Sequence, residues 1–248
     1  MAKRKEAGIT LVASEKERAR QKENTREKQK HIFEAAVEEA RHNIVQKNFD
    51  RAVEIGLTAM RDAMMIFGED AIELMPGYFV ISDGYLELKQ PKRAEEFLIQ
   101  ANWNLMKHQP SAQDSNTGAS YVSETDLGTY HSRLHKNFGK LFSKINRHAD
   151  AIKELSQNIY IESKSKGPEN YSITESYQHL GDTFLAMHKP EEAAGFFHLI
   201  FKIWKKILEN GQDEEIPSLE MEEACEMLKK IYETLVDMEG AEACSEIN

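Results

Sequence analysis

The sequence predicts an all-α solenoid of helix-turn-helix units, and three observations carry that expectation. Small residues recur twelve apart in four places: Ala40 with Ala52, Ser82 with Ala94, Gly139 with Ala151 and Gly181 with Ala193. A large aromatic stands three residues after the first small one as Tyr85, Phe142 and Phe184. The pattern returns after 42 residues from Ala40 to Ser82, and again from Gly139 to Gly181. Two antiparallel helices that cross closely need small residues at the crossing and larger ones above and below it. Residues three and four apart share one helix face. That fixes one buried stripe as Tyr177, Leu180, Gly181 and Phe184 and the next as Ala193, Phe197 and Ile200, parted by a break at Lys189-Pro190.

In chain order, residues 1–13 show no periodicity and are expected to be disordered. Residues 14–31 are dominated by Glu, Lys, Arg and Gln, a charged helix without an apolar face, with Ser14 and Glu17 as its capping box. Four units are expected over 32–208. The first runs from about Phe33 to Met65 and turns at Lys47-Asn48-Phe49-Asp50; Asn43 in the aromatic position makes it the least regular. Gly68 is expected to end its second helix with a positive φ, and Asp70 to cap the next helix. Met60, Met64 and Met65 read as core filler. The second unit opens near Pro76, tolerated in a first helical turn, and turns at Lys89-Gln90-Pro91.

Residues 109–126, rich in Ser, Gln, Asn, Thr and Gly, read as a long loop. They account for the 57 residues between Ser82 and Gly139, which is the 42-residue period plus 15. The third unit spans about Thr129 to Lys164, and Gly167-Pro168-Glu169-Asn170 repeats the exit of the first. The fourth runs to about Leu208. Residues 209–248 are expected to form an acidic linker and a capping helix, an incomplete fifth repeat with Cys225, Leu228, Tyr232 and Ala241 in register and Cys225 as a small core residue. This is the tetratricopeptide-repeat (TPR) pattern with longer helices, since the common unit has about 34 residues. Long units of this kind resemble the repeats of kinesin light chains.

Composition narrows the function. The 248 residues are 40% hydrophobic and 30% charged, with six prolines and two cysteines, Cys225 and Cys244. No CxxC pair is present, so neither a disulfide framework nor a zinc knuckle is expected, and the composition fits a reducing compartment. No apolar run approaches the roughly 18 residues of a membrane span. The net charge of −10 is unevenly placed. Residues 1–30 hold ten Lys/Arg against five Glu, +5, and residues 209–248 hold two Lys against thirteen Asp/Glu, −11. A generally basic nucleic-acid binder is excluded on that balance, while the N-terminal arm alone can meet an acidic surface.

No catalytic constellation stands out, and no cofactor or metal is expected. His131 and His135 have the spacing of two ligands on a helix, but no Glu follows the first as a metalloprotease needs. His135 falls in the core register and reads as a packed histidine. Asp182 has no partner carboxylate at a fixed offset, and Gly56, Gly68 and Gly84 form no phosphate loop. The candidate partner-binding residues are Arg133, Lys136, Asn137, Lys140 and Lys144 on the flank of the third unit's first helix. Basic residues three, four and four apart make a stripe that suits an acidic peptide or helix. Val37, Arg41 and His179 stand where a chaperone-tail clamp would need its Lys and Asn residues, which argues against that kind of clamp.

Particular residues go beyond the repeat pattern. Ala71-Ile72-Glu73-Leu74-Met75-Pro76-Gly77-Tyr78, Ala94 to Leu98, Gln100-Ala101-Asn102-Trp103, His131 to Gly139, Asn158-Ile159-Tyr160 and Ile203-Trp204 resemble the repeat region of the zinc finger MYND domain-containing protein 12 family. The likeness spans about Lys28 to Leu208. It implies a ciliary protein: a non-catalytic accessory subunit of a single-headed inner-arm dynein in the cytoplasm and on the axoneme. The implied partners are the dynein heavy-chain tail and a second TPR-containing dynein subunit. The basic arm is a candidate contact for the acidic doublet microtubule, and neither nucleic acid nor membrane is expected as a partner. The vertebrate members carry a MYND zinc finger before the repeats, whereas the charged helix stands in its place here. A kinesin-light-chain-like cargo adaptor is the alternative the repeat period offers.

Overall fold

The computed structural model describes residues 2–109, 124–209 and 216–245. They form α1 (Ala2–Val45), α2 (Phe49–Phe67), α3 (Met75–Glu87), α4 (Pro91–Lys107), α5 (Glu124–Lys144), α6 (His148–Lys166), α7 (Thr174–Ala186), α8 (Pro190–Glu209) and α9 (Ser218–Ser245), with no strand among the described residues. The pairs α1/α2, α3/α4, α5/α6 and α7/α8 are the four units, and each second helix also packs on the first helix of the next unit. The result is a TPR-type α-solenoid, in which a unit buries its apolar stripe only against its neighbours.

The twelve-residue step works as the sterics require. Ala40, Ala52, Ser82, Ala94, Ala151 and Ala193 are fully buried. A Cβ on Gly139 would lie 2.5 Å from Leu155 Cγ, and one on Gly181 would strike the Phe197 ring. Each unit then turns through one residue of positive φ in the same register position: Lys47, Lys89, Asn146 and His188, at 64°, 58°, 60° and 58°. The following amide closes each turn, donating to the carbonyl five residues earlier, as from Gln90 to Tyr85 at 2.9 Å and from Arg147 to Phe142 at 2.8 Å. A side chain with a Cβ is disfavoured in that conformation, and Lys89 is exposed. Lys89→Gly is therefore expected to stabilise the protein by about 0.5–1 kcal/mol, a rise in Tm of about 1–4 °C. Thermal circular dichroism measures it, and a lower Tm would contradict the left-handed turn.

Gly68 and Gly167 leave their helices at φ 94° and 93°. The short 3₁₀ turns Ile72–Leu74 and Tyr171–Ile173 follow. Asp70 does not cap the first of these. The capping position is occupied by Ala71, and Asp70 Oδ1 instead accepts from Lys107 Nζ at 2.5 Å. The residue matching Ala71 at the second exit, Asn170, does cap, accepting the Ser172 N–H at 2.9 Å. Asp70 lies one residue too early.

Several boundaries differ from those read in the sequence. α1 runs unbroken from Ala2, so the expected disorder of 1–13 and helix start at Ser14 give way to one helix with Ser14 inside it. Ala, Lys, Arg, Glu and Leu outnumber the weaker formers Gly8, Ile9, Thr10 and Val12 in that stretch, and no proline interrupts the helix there. Residues 17–28 are exposed on all sides, and the helix is anchored where Arg26 lies 5.6 Å over the Phe67 ring and donates to Glu73 at 2.6 Å. Of the expected loop at 109–126, residues 110–123 lie outside the described residues, and α5 has begun by Glu124, ahead of Thr129. Residues 210–215 of the acidic linker lie outside them too, as does the side chain of Ala241. Cys225 and Tyr232 are exposed, while Ala224, Met227 and Ile231 take the buried face of α9. One residue turns a helix by about 100°, so a one-place slip after the linker moves Cys225 from core to solvent. Met60 is buried as expected but Met65 is 75% exposed.

The apolar core is not continuous. One cluster joins α1 to α5 through Phe33, Tyr78, Phe79, Leu98, Leu105 and Leu141. A second joins α8 and α9 through Phe197, Ile200, Trp204, Met227 and Ile231, with α7 along its edge. Between them, buried Leu155, Ile173 and Leu180 are accompanied by a hydrogen-bonded polar seam. Ser132 Oγ donates to Glu162 Oε1 at 2.6 Å, Asn158 Nδ2 donates to Ser132 O and Oγ at 2.9 and 2.8 Å, and Ser176 Oγ donates to Asn158 Oδ1 at 2.5 Å. Ser172 and Lys166 both reach Glu162 Oε2 at 2.9 Å.

Candidate functional site: a charged inner channel

Consecutive first helices touch one another from α1 through α3, α5 and α7 to α9, and α9 comes back to α1. The second helices stand outside this nearly closed turn, so the inner surface belongs to five first helices. Each contributes a charged residue to it. Arg41 of α1 donates to both carboxylate oxygens of Glu223 of α9, at 3.1 and 3.0 Å. Lys140 of α5 bridges Asp83 of α3 at 2.9 Å and Glu175 of α7 at 2.8 Å. Lys136 also pairs with Glu175, at 2.5 Å, and His179 lies 3.8 Å from that carboxylate. Lys47–Glu226 and Lys230–Asp182, at 3.4 and 2.9 Å, tie α9 to the α1–α2 turn and to α7.

The electrostatics follow from burial and proximity. Burial alone would lower the Lys140 pKa, but Asp83 and Glu175 outweigh it and raise it far above the ordinary lysine value. Burial would raise Glu175, yet Lys136 and Lys140 hold it well below the ordinary 4.5. Glu162 in the seam is likewise lowered: burial opposes this, and Ser132, Lys166 and Ser172 outweigh it. Glu223 goes the other way, raised by burial against the pull of Arg41. A carboxylate whose folded pKa lies below its unfolded one contributes stability that is full above the unfolded value and is lost as pH falls through the folded value. For Glu175 that window lies below about pH 4.5. The Tm is thus expected to fall steeply with acidification below that point, and less steeply in Glu175→Gln. Parallel slopes of the two proteins in thermal scans from pH 7 to 3 would contradict the assignment.

The four basic residues of the expected stripe lie on the inner flank of α5, but most are already engaged. Lys136 and Lys140 are paired as above, and Lys144 reaches Glu87 at 3.4 Å. Asn137 is fully buried and is structural: its Nδ2 donates to Ser82 Oγ at 3.1 Å, to Asp83 Oδ1 at 3.3 Å and to Phe79 O at 3.4 Å. Arg133 differs, lying 5.2 Å over the Phe79 ring with no carboxylate at ion-pair distance among the described residues. Sequence reading missed the carboxylate half of the channel, Asp83, Glu175 and Glu223. One signal was available. The residue after each small crossing residue alternates in sign, as Arg41, Asp83, Lys140 and Asp182.

The two histidines do not converge on a site. His135 is not packed in the core; it is partly exposed, with Nδ1 2.6 Å from Glu154. His131 contacts Gln109 at 3.1 Å, and burial and then His135 lower its pKa. Among the described residues no group of three or more His, Cys, Asp or Glu is placed to hold a metal ion, and no helix is long and apolar enough to cross a membrane. A groove of about 490 Å³ between α1 and α2 is largely apolar, lined by Ile32, Phe33, Ile55, Ala59 and Ile66.

Solved structures share this architecture. A kinesin-light-chain-type protein of Podosopora anserina with nearly identical TPR-like repeats superposes with a TM-score of 0.50 at 15% identity, over 88% of this chain and 93% of that one. BtubC (BKLC) from P. vanneervenii gives 0.51 at 14% identity, over 89% and 88%. At such identities the likeness concerns the fold. No protein-family model matches the chain.

Proposed function

We propose that the protein is a non-catalytic TPR scaffold, an accessory subunit of a single-headed axonemal inner-arm dynein that helps assemble the motor or dock it on doublet microtubules. The observation that carries the scaffold reading is the inner channel, to which every first helix contributes charge around a surface for docking. The finer reading rests on the residue runs that resemble the zinc finger MYND domain-containing protein 12 family. Two aromatics in those runs, Trp103 and Tyr160, are 59% and 64% exposed on α4 and α6, in places 57 residues apart and hence equivalent between units two and three. Packing within the chain does not require them, so they suit a second TPR subunit on the outside, with the heavy-chain tail on the inner face. The exposed, basic stretch of α1 is the candidate contact with the acidic doublet surface.

The test is an affinity pull-down of tagged protein from salt-extracted axonemes, with co-purifying chains identified by mass spectrometry. An inner-arm heavy chain together with a second TPR protein is the expected result. Removing residues 2–30 is expected to reduce axonemal attachment while leaving those chains bound. A second reading, a kinesin-light-chain-like cargo or motor adaptor, is favoured by the 42-residue period and the solved neighbours. Recovery only in the detergent-soluble fraction, without dynein, would support that reading and overturn the first.

A further inference from the structure

Arg41, Lys136, Lys140 and Lys144 each hold at least one carboxylate in or beside the channel. Arg133 holds none among the described residues, and it makes no hydrogen bond there. Its guanidinium lies over the Phe79 ring, and stacking of that kind leaves the in-plane N–H donors unused. The group is only partly exposed, and burial and the nearby charge of Arg41 both lower its pKa. A cation is thus held in the channel where it is least comfortable, with its hydrogen-bonding fork unspent.

We propose that Arg133 is an anion-binding point of the inner channel that takes a side-chain carboxylate from an acidic segment of a partner polypeptide. The inference rests on the scaffold reading and names the chemistry its inner face recognises. The planar fork of a guanidinium matches a carboxylate with two parallel hydrogen bonds. Asp83, Glu175 and Glu223 all act on Arg133 electrostatically, so the channel already carries negative charge close by. A singly charged carboxylate meets less repulsion from them than a doubly charged phosphate. The Phe79 ring beneath Arg133 is itself fully buried, and the neighbouring half-buried Tyr130, its ring centroid 6.5 Å from that of Phe79, is the aromatic left partly open beside the guanidinium.

The test uses the full chain at low ionic strength with fluorescein-labelled, end-blocked hexaglutamate, read by anisotropy. Hexaglutamine, hexalysine, sodium acetate and inorganic phosphate serve as comparisons. Hexaglutamate alone is expected to bind well, and Arg133→Met to weaken it by about tenfold, as for loss of one charge-assisted pair. Arg61→Met, on the exposed side of α2, is expected to leave binding unchanged. Because Arg133 has no ion pair among the described residues, Arg133→Met is expected to keep or raise the Tm, which separates lost binding from lost folding. Hexaglutamate binding that is absent or indifferent to Arg133→Met overturns the inference. So do equal binding of hexaglutamine and stronger competition by phosphate or acetate than by unlabelled hexaglutamate. Failure of hexaglutamate with dynein still recovered from axonemes sinks the anion point and leaves the scaffold reading. Arg133-dependent hexaglutamate binding without dynein recovery leaves the anion point and sinks the dynein assignment.

Discussion

Lys140→Met is expected to destabilise the protein by about 2–3 kcal/mol, without loss of side-chain volume to explain it. The substitution leaves Asp83 and Glu175 facing one another without the ammonium that joins them. Breaking a fully buried pair costs about 3–5 kcal/mol, most of it the penalty of the orphaned charge. The lower figure applies because the Glu175 side chain is 36% exposed and Lys136 still pairs with it. Urea denaturation gives the value directly. Adding Glu175→Gln to Lys140→Met is expected to recover part of the loss, since the orphaned charge is then gone; additive losses would contradict the account. Lys144→Met makes the contrast, because its pair with Glu87 joins two exposed side chains and exposed pairs contribute about 0–1 kcal/mol.

Asn158→Leu is expected to cost about 3 kcal/mol or more and to change the shape of the unfolding transition. Leucine is close to asparagine in size, so the loss comes from polarity. Ser176 loses its acceptor inside the protein, and a buried polar group left unsatisfied costs about 1–3 kcal/mol; Ser132 keeps Glu162 but loses both bonds from Asn158, each worth about 0.5–1.5 kcal/mol. The seam also joins the two apolar clusters, one over α1–α5 and one over α8–α9. Weakening a junction between solenoid units allows the segments on its two sides to melt separately. Hydrogen exchange is expected to show α7–α9 opening before α1–α4 in Asn158→Leu. Uniform exchange across the chain, with a single sharp transition, would contradict the seam as the weak junction.

The repeat pairs were legible because crossing helices impose a rule on single residues: Gly139 and Gly181 tolerate no Cβ, and Ala52, Ala94, Ala151 and Ala193 sit where the partner helix presses. The α9 face was not, since the spacing across residues 210–217 is not set by a crossing, and Ala224 rather than Cys225 turned inward. The length of α1 escaped for a related reason. The missed residues 2–13 join a charged stretch to a short, mostly apolar run, Ile9 to Ala13, with no helical periodicity to read. At the site, the basic stripe on α5 was visible as a spacing within one helix. Its carboxylate partners lie between about 35 and 60 residues away on α3 and α7, where only the folded register brings them together. Asn137 was misread for the same reason, because the buried groups it serves, Ser82 and the Phe79 carbonyl, belong to α3.

On the proposed function, the dynein heavy chain docks on the inner face. Photo-crosslinking tests it most directly, with a benzophenone amino acid placed at Lys144 on the inner flank of α5 or at Arg61 on the outer side of α2, in axonemal extract. The account predicts a covalent adduct with an inner-arm heavy chain from position 144 and none from position 61. A heavy-chain adduct from 61 with none from 144 would contradict it.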